Sequence, residues 1–257
     1  MGGVARRATI IRQERGKAQH TLVLDAGAAL MTDRDPAKRT LGKSSVEAMN
    51  LMGYNAMALG LLDFAPLTLD ELRERMAEAH FPMLSANAYI SDTRELFAQP
   101  YVVLDIADHH VGILGLTDAG STPYIVATDP LEAALKWMPE LRSKADIIIV
   151  LSHAGLEADG EIAEKVLGID VIVCGRNVPL TQPRVVGRTG TVLFHSDVAI
   201  VGEAGRKIGV AYLSFDSEGQ LTKHDWRNVT LAPDIEADPE MNGWVLTQVA
   251  ASLESSQ

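Results

Sequence analysis

Four glycine-punctuated segments hold the polar residues best placed to do chemistry: "LDAGAAL" (24–30) with Asp25, "ALGLLDF" (58–64) with Asp63, "VLSHAG" (150–155) with His153, and "VIVCGRNVPL" (171–180) with Arg176 and Asn177. Each reads as a short apolar strand running into a turn, where an α/β protein keeps its site residues. An imidazole, a guanidinium and an amide from such turns form a pocket for an anion or phosphate group without a metal, and His153, Arg176 and Asn177 are the candidates. Taken singly they read more plainly. His153 is then a packed, hydrogen-bonded histidine at a strand end, and Asp25 caps a turn. The second segment is unusual, because Gly60 is followed by Leu61 and Leu62, two side chains that can ligate nothing.

Other catalytic signatures fail. "AKRTLGKS" (37–44) ends like a phosphate-binding loop, but Ala37 stands where the first glycine is required and no strand precedes it. There is no nucleophile elbow, no dinucleotide-binding glycine fingerprint and no His-Glu-x-x-His zinc motif. Cys174 reads as a small buried hydrophobe. His109 and His110 fall at a turn with their side chains on opposite faces, exposed to solvent.

The elements that position these segments alternate between strand and helix. "TLVLDAG" (21–27) is expected as a strand, and "SSVEAMNLMGY" (44–54) as a helix capped by Ser44 with Glu47 three residues on. Thr68 and Glu71 repeat that box, and Asp129 caps a helix with Pro130 at its first position and a kink near Pro139. "YVVLDIADHHVGILGLT" (101–117) reads as a hairpin, "ADIIIVLSHAG" and "GIDVIVCGRN" as strands around a helix at 157–167. After about residue 185 only strands follow, until a terminal helix beginning at "PEMNGWVLTQ". No linker, repeat or low-complexity tract divides the chain, so residues 1–257 read as one α/β domain.

Composition narrows the classes. With 257 residues, 47% hydrophobic and 22% charged, the chain can bury a full core. A formal charge of −11 argues against nucleic acid as a partner. The longest apolar strand run, Ile147 to Leu151, is too short to span a membrane. The amino terminus is basic without an apolar segment, so no signal peptide is recognisable and the chain as written would be cytoplasmic.

The order of these segments, with "GGVARRATIIRQ", "VEAMNLMGYNAMALG", "FPMLSAN" and "VGILGLTD", resembles the calcineurin-like metallophosphoesterase domain of the 5'-nucleotidase family over about residues 2–215. The resemblance implies a four-layer α/β/β/α sandwich with two mixed sheets, and two divalent metals that activate water against a phosphate ester. It also implies that the family's first strand, with an Asp-x-His motif, lies upstream of the Gly-Gly-x-Ala-Arg-Arg segment and is missing here. Position by position, the bridging aspartate of the family's Gly-Asp motif is Ala28, and the Asn-His pair after the next glycine is Leu61-Leu62. The histidine of the following motif is kept as His153, while Gly-His-x-His has become Gly175, Arg176, Asn177 and Val178.

One imidazole cannot hold two cations, and Arg176 repels them. The leucines are expected to fill the vacated site with apolar side chains, and Arg176 to pair with Asp63 or attract an anion. The sequence therefore reads as a pseudoenzyme without cofactor, binding a protein partner or serving a larger assembly. Its partner surface is expected as an apolar patch near Trp226, Trp244 or the terminal helix. The alternative is a phosphoester hydrolase with a weakly held Mn or Zn ion. Family relatives are commonly periplasmic or extracellular and carry a C-terminal nucleoside-binding domain, which this sequence is expected to lack.

Overall fold

The computed structural model describes residues 3–176, 180–196 and 205–254. Helix α1 (Val4–Arg15) turns Ala5, Ile10 and Ile11 inward. It is followed by β1 (Leu24–Asp25), α2 (Lys43–Met52) and β2 (Ala56–Ala58). A single turn, α3 (Leu61–Phe64), precedes α4 (Leu69–Glu78), whose first turn is closed by the Thr68–Glu71 box as its sequence predicts. Next come β3 (Met83–Leu84), β4 (Ala88–Ile90), β5 (Tyr101–Ile106), β6 (His109–Leu116), β7 (Gly120–Ser121) and β8 (Ile125–Ala127). Helix α5 (Pro130–Arg142) is capped by Asp129 and continues through Pro139. The chain then forms β9 (Ile147–Ser152), α6 (Leu156–Lys165), β10 (Val171–Cys174), β11 (Arg184–Val185) and β12 (Val192–Phe194). It ends in the hairpin β13 (Lys207–Phe215) and β14 (Leu221–Thr230), and α7 (Pro239–Glu254).

Four layers result. Helices α1, α2 and α4 cover one face of a small sheet, ordered β1-β2-β3, through Ile11, Val46, Met49, Met57, Leu72 and Met83. The other face of that sheet, with Ala56, Ala58 and Leu84, lies on Ile113, Ile149 and Leu151 of a six-stranded sheet ordered β11-β12-β10-β9-β6-β5. Helices α5 and α6 cover the far side of the large sheet through Met138, Leu141 and Ile162. β9 is wholly buried because both its faces are covered, which explains its unbroken apolar run. The expected α/β/β/α sandwich is thus present. The large sheet is mixed, but the small one has only parallel pairs among the described residues.

Two local expectations are corrected. Ser44 does not cap α2. Gly42 does, in a left-handed conformation at φ 80°, while Ser44 is buried with its hydroxyl 2.9 Å from that of Thr40. Residues 21–27 do not all form a strand, since only Leu24 and Asp25 pair with β2. Of the three places named for an apolar patch, the two tryptophans are partly covered. Trp226 is half-buried and stacks on Phe194 at 4.9 Å, and the half-buried Trp244 donates Nε1–H to Glu47. Exposed apolar side chains lie along α7, the terminal helix, at Leu246, Val249 and Leu253. Among the described residues no helix is long and apolar enough to cross a membrane.

Candidate functional site

The turns after β1, β2, β9 and β10 meet around His153. This side chain is 4% exposed, and its backbone N–H donates to the carbonyl of Leu116. A Cβ placed on Gly60 would fall 2.7 Å from Nδ1 of His153, and one placed on Gly27 or Gly175 would fall 3.0 Å from its Cδ2. Three glycines therefore make room for one ring.

Nδ1 of His153 lies 3.0 Å from Oδ1 of Asp118, and the N–H of Leu61 donates to the same oxygen at 2.7 Å. Burial works to raise the Asp118 carboxyl, but the hydrogen bonds from His153 and Leu61, helped by electrostatic attraction to His153 and by its own backbone N–H, together hold the pKa below the ordinary range. The carboxylate is therefore the acceptor, and Nδ1 carries the proton. Asp118, at the end of "VGILGLTD", was not singled out from sequence. The signal was there, since Thr117-Asp118 ends a strand as the other site residues do.

Asp63 is fully buried and spent on the backbone. Its two oxygens accept the N–H groups of Ala28 at 2.8 Å, Gly60 at 2.9 Å and Leu30 at 3.0 Å, which ties the turn after β1 to the turn after β2. Burial pushes its pKa up to about 6, while the three N–H bonds pull the other way. Asp25 accepts the N–H of Gly27 at 2.9 Å, and burial raises its pKa as well.

Arg176 and His153 border one cavity, together with Asp25, Asp118 and Leu62. Arg176 is exposed, with Nη1 3.5 Å from the carbonyl oxygen of Ala154, and its own carbonyl accepts from Nε2 of His195 at 2.9 Å. Two residues other than glycine at this site take left-handed backbone, Ala28 at φ 59° and Arg176 at φ 57°. Such conformations gather at functional sites because surrounding structure must hold them. Asn177 and Val178 lie outside the described residues.

The site corrects two expectations. Arg176 does not pair with Asp63, whose carboxylate is enclosed by backbone donors. The leucines do not fill the site as a pair either. Leu61 packs against Gly120, where an added Cβ would fall 2.6 Å from Cδ2 of Leu61, but Leu62 is 64% exposed at the cavity rim.

The sandwich and the placing of its loops are those of the metallophosphoesterase-like class. No family model matches the chain. It is 30% identical over 273 residues to the snake venom 5'-nucleotidase of Gloydius brevicauda, covering 95% of this chain and 45% of that protein. It is also 30% identical over 280 residues to the human 5'-nucleotidase, covering 95% and 47%. Among solved structures, a 5'-nucleotidase precursor from Thermus thermophilus superposes with a TM-score of 0.86 at 28% identity, covering all of this chain and 54% of that one. The chain is thus homologous over nearly its whole length to part of the 5'-nucleotidases and shares the fold of a 5'-nucleotidase precursor. It spans about half the length of the curated relatives it matches. Relatives from snake venom lend no support to the cytoplasmic placement expected from the amino terminus.

The donor set present can be tested against the metals this class implies. Two divalent cations close together need several oxygen and nitrogen ligands, one of them a shared carboxylate. Among the described residues no group of three or more His, Cys, Asp or Glu is placed to hold an ion. Asp63 is occupied by three backbone donors, and Asp118 by Leu61 and His153. A guanidinium borders the same cavity. The described residues do not fit a two-metal centre.

Proposed function

We propose that this chain is a non-catalytic member of its family, a metallophosphoesterase scaffold used for binding. The observation that supports this reading is the occupation of Asp63: a fully buried carboxylate bonded to three backbone N–H groups holds two turns together and is not turned to an ion. His153 and Arg176 then offer the cavity an imidazole and a positive charge, a combination suited to a small anion.

A second reading keeps metal-dependent phosphoester hydrolysis, and the 30% identity to 5'-nucleotidases over nearly the whole chain favours it. One experiment separates the two. The protein is dialysed against excess Mn²⁺, freed of unbound ions, and assayed for metal content and for hydrolysis of a generic phosphodiester and of a nucleoside 5'-monophosphate. The scaffold reading expects no retained metal and no turnover. Near-stoichiometric metal with hydrolysis that disappears in His153→Ala overturns it. Inorganic phosphate tests the anion site separately: it is expected to raise the melting temperature of the parent protein and not that of Arg176→Ala.

A further inference from the structure

β5 (Tyr101–Ile106) is the end strand of the large sheet and pairs only with β6 among the described residues. The residues on either side of it, 91–100 and 107–110, are all described. Its register sets Tyr101 opposite Leu114 and Ile106 opposite His109, and the N–H of Gly115 donates to the carbonyl of Pro100. Bonded pairs alternate along an antiparallel ladder, so residues 100, 102, 104 and 106 turn their backbone groups toward β6, while Tyr101, Val103 and Asp105 turn theirs outward. Among the described residues no other backbone group bonds to those three from that side.

An open edge of this kind is a template for another strand unless a proline, a lysine, a bulge or a covering segment blunts it. Residues 101–106 contain no proline or lysine, their register with β6 is unbroken, and the apolar Val102, Val103 and Leu104 are only half-buried. We propose that β5 pairs with β5 of a second copy of this chain, antiparallel about a two-fold axis at Val103, so that the two large sheets run on as one.

The occupant follows from the edge being complementary to itself. Its three outward residues are symmetric about Val103, so all of them pair at once, Val103 with Val103 and Tyr101 with Asp105. Beside Tyr101 stands a cation: Nζ of the half-exposed Lys144 lies 2.8 Å from the Tyr101 hydroxyl. Asp105 has a side chain 83% exposed, with Oδ1 held at 2.6 Å by Nδ1 of His110. Pairing about Val103 therefore brings each Asp105 to the other copy's Lys144, twice by symmetry. On the opposite face Val102 meets Leu104, apolar against apolar. A shift of two residues in either direction loses both charge pairs, so the register is specified. The contact is one strand long, about 20 Å, and a weak dimer is expected, with Kd of about 10–100 μM. Association is read without metal or turnover and stands apart from the reading of the His153 site.

The test is sedimentation equilibrium of the full chain from about 1 to 500 μM, in about 0.15 M salt. The parent is expected to pass from monomer to dimer. Val103→Pro removes an outward donor and spares the bonds to β6, so it should keep its melting temperature within a few degrees and dimerise at least about tenfold more weakly. Asp105→Lys and Lys144→Glu each set like charges together and should weaken the dimer when alone. Mixed in equal amounts, they should associate at least about tenfold more strongly than either, because the mixed pair restores both contacts. A parent that stays monomeric throughout overturns the proposal and leaves the edge to a strand of a different chain. A dimer that folded Val103→Pro does not weaken, or a mixture that associates no better than its components, overturns pairing through this edge. If Val103→Pro fails to fold, the mixture decides.

Discussion

Oδ1 of Asp118 accepts both Nδ1–H of His153 at 3.0 Å and the backbone N–H of Leu61 at 2.7 Å, so one oxygen joins the turns after β2, β6 and β9. Replacing Asp118 by Asn removes the charge from both bonds, with an expected loss of about 1–3 kcal/mol at neutral pH. The folded carboxyl is held below its ordinary value, so its contribution is present above the unfolded pKa, near 4, and fades as pH falls through the lower folded value. Thermal melts from pH 7 down to pH 2.5 check this. The gap between the parent and Asp118→Asn should close at the acid end, and a gap independent of pH would refute the assignment.

Asp63 predicts the opposite slope. Its folded pKa, pushed up to about 6 by burial, lies above that of the unfolded chain, so the folded state binds the extra proton between about pH 4 and 6. Stability from this group is full below pH 4 and is lost as pH rises to about 6, a change of about 3 kcal/mol. Asp63→Asn cannot ionise. Whatever its absolute stability, its urea midpoint should fall less steeply than the parent's across that interval, and identical slopes would sink the prediction.

Asp159 makes a second, wider window. It is buried, accepts the Ser152 hydroxyl at 2.5 Å and lies beside the Cys174 thiol, and burial pushes its pKa up to about 7. The same sign applies, so Asp159→Asn should remove a loss of stability that the parent suffers between about pH 4 and 7. The Cys174 thiol, itself pushed upward by burial, should resist a thiol-specific reagent at pH 8 until the protein unfolds. Rapid labelling of native protein would contradict this.

The two leucines after Gly60 should behave differently. Leu62 is 64% exposed, so Leu62→Lys is expected to change stability by less than about 0.5 kcal/mol. Leu61→Lys takes a methyl group off Gly120 and should cost about 1 kcal/mol or more. Equal losses in chemical denaturation would mean that both side chains are packed.

How far the sequence can be read differs from element to element. Apolar runs such as 147–151, and caps such as Thr68 and Asp129, are legible because the signal is local: a buried strand or an orphan N–H dictates the residue beside it. Ser44 misleads for the same reason. The capping pattern is present, but Gly42 two residues earlier reaches a left-handed conformation and ends the turn first. The site is less legible. His153 is visible at its strand end, whereas its partner Asp118 lies 35 residues away and is joined to it only by the register of β6 beside β9. The role of Asp63 is hidden because its bonds go to backbone N–H groups of Ala28 and Leu30, which any residue would offer.

The ring of His153, set among Gly27, Gly60 and Gly175, also constrains the history of the sequence. While the imidazole is in place, a side chain at any of the three positions collides with it or with the neighbouring backbone, so each glycine is shielded from replacement. Once the imidazole is lost, the three closest obstacles to a side chain at Gly60 go with it, and a side chain placed there then bars the way back. Substitution here proceeds in one order and is hard to reverse, so a lineage that keeps His153 must also keep its glycines.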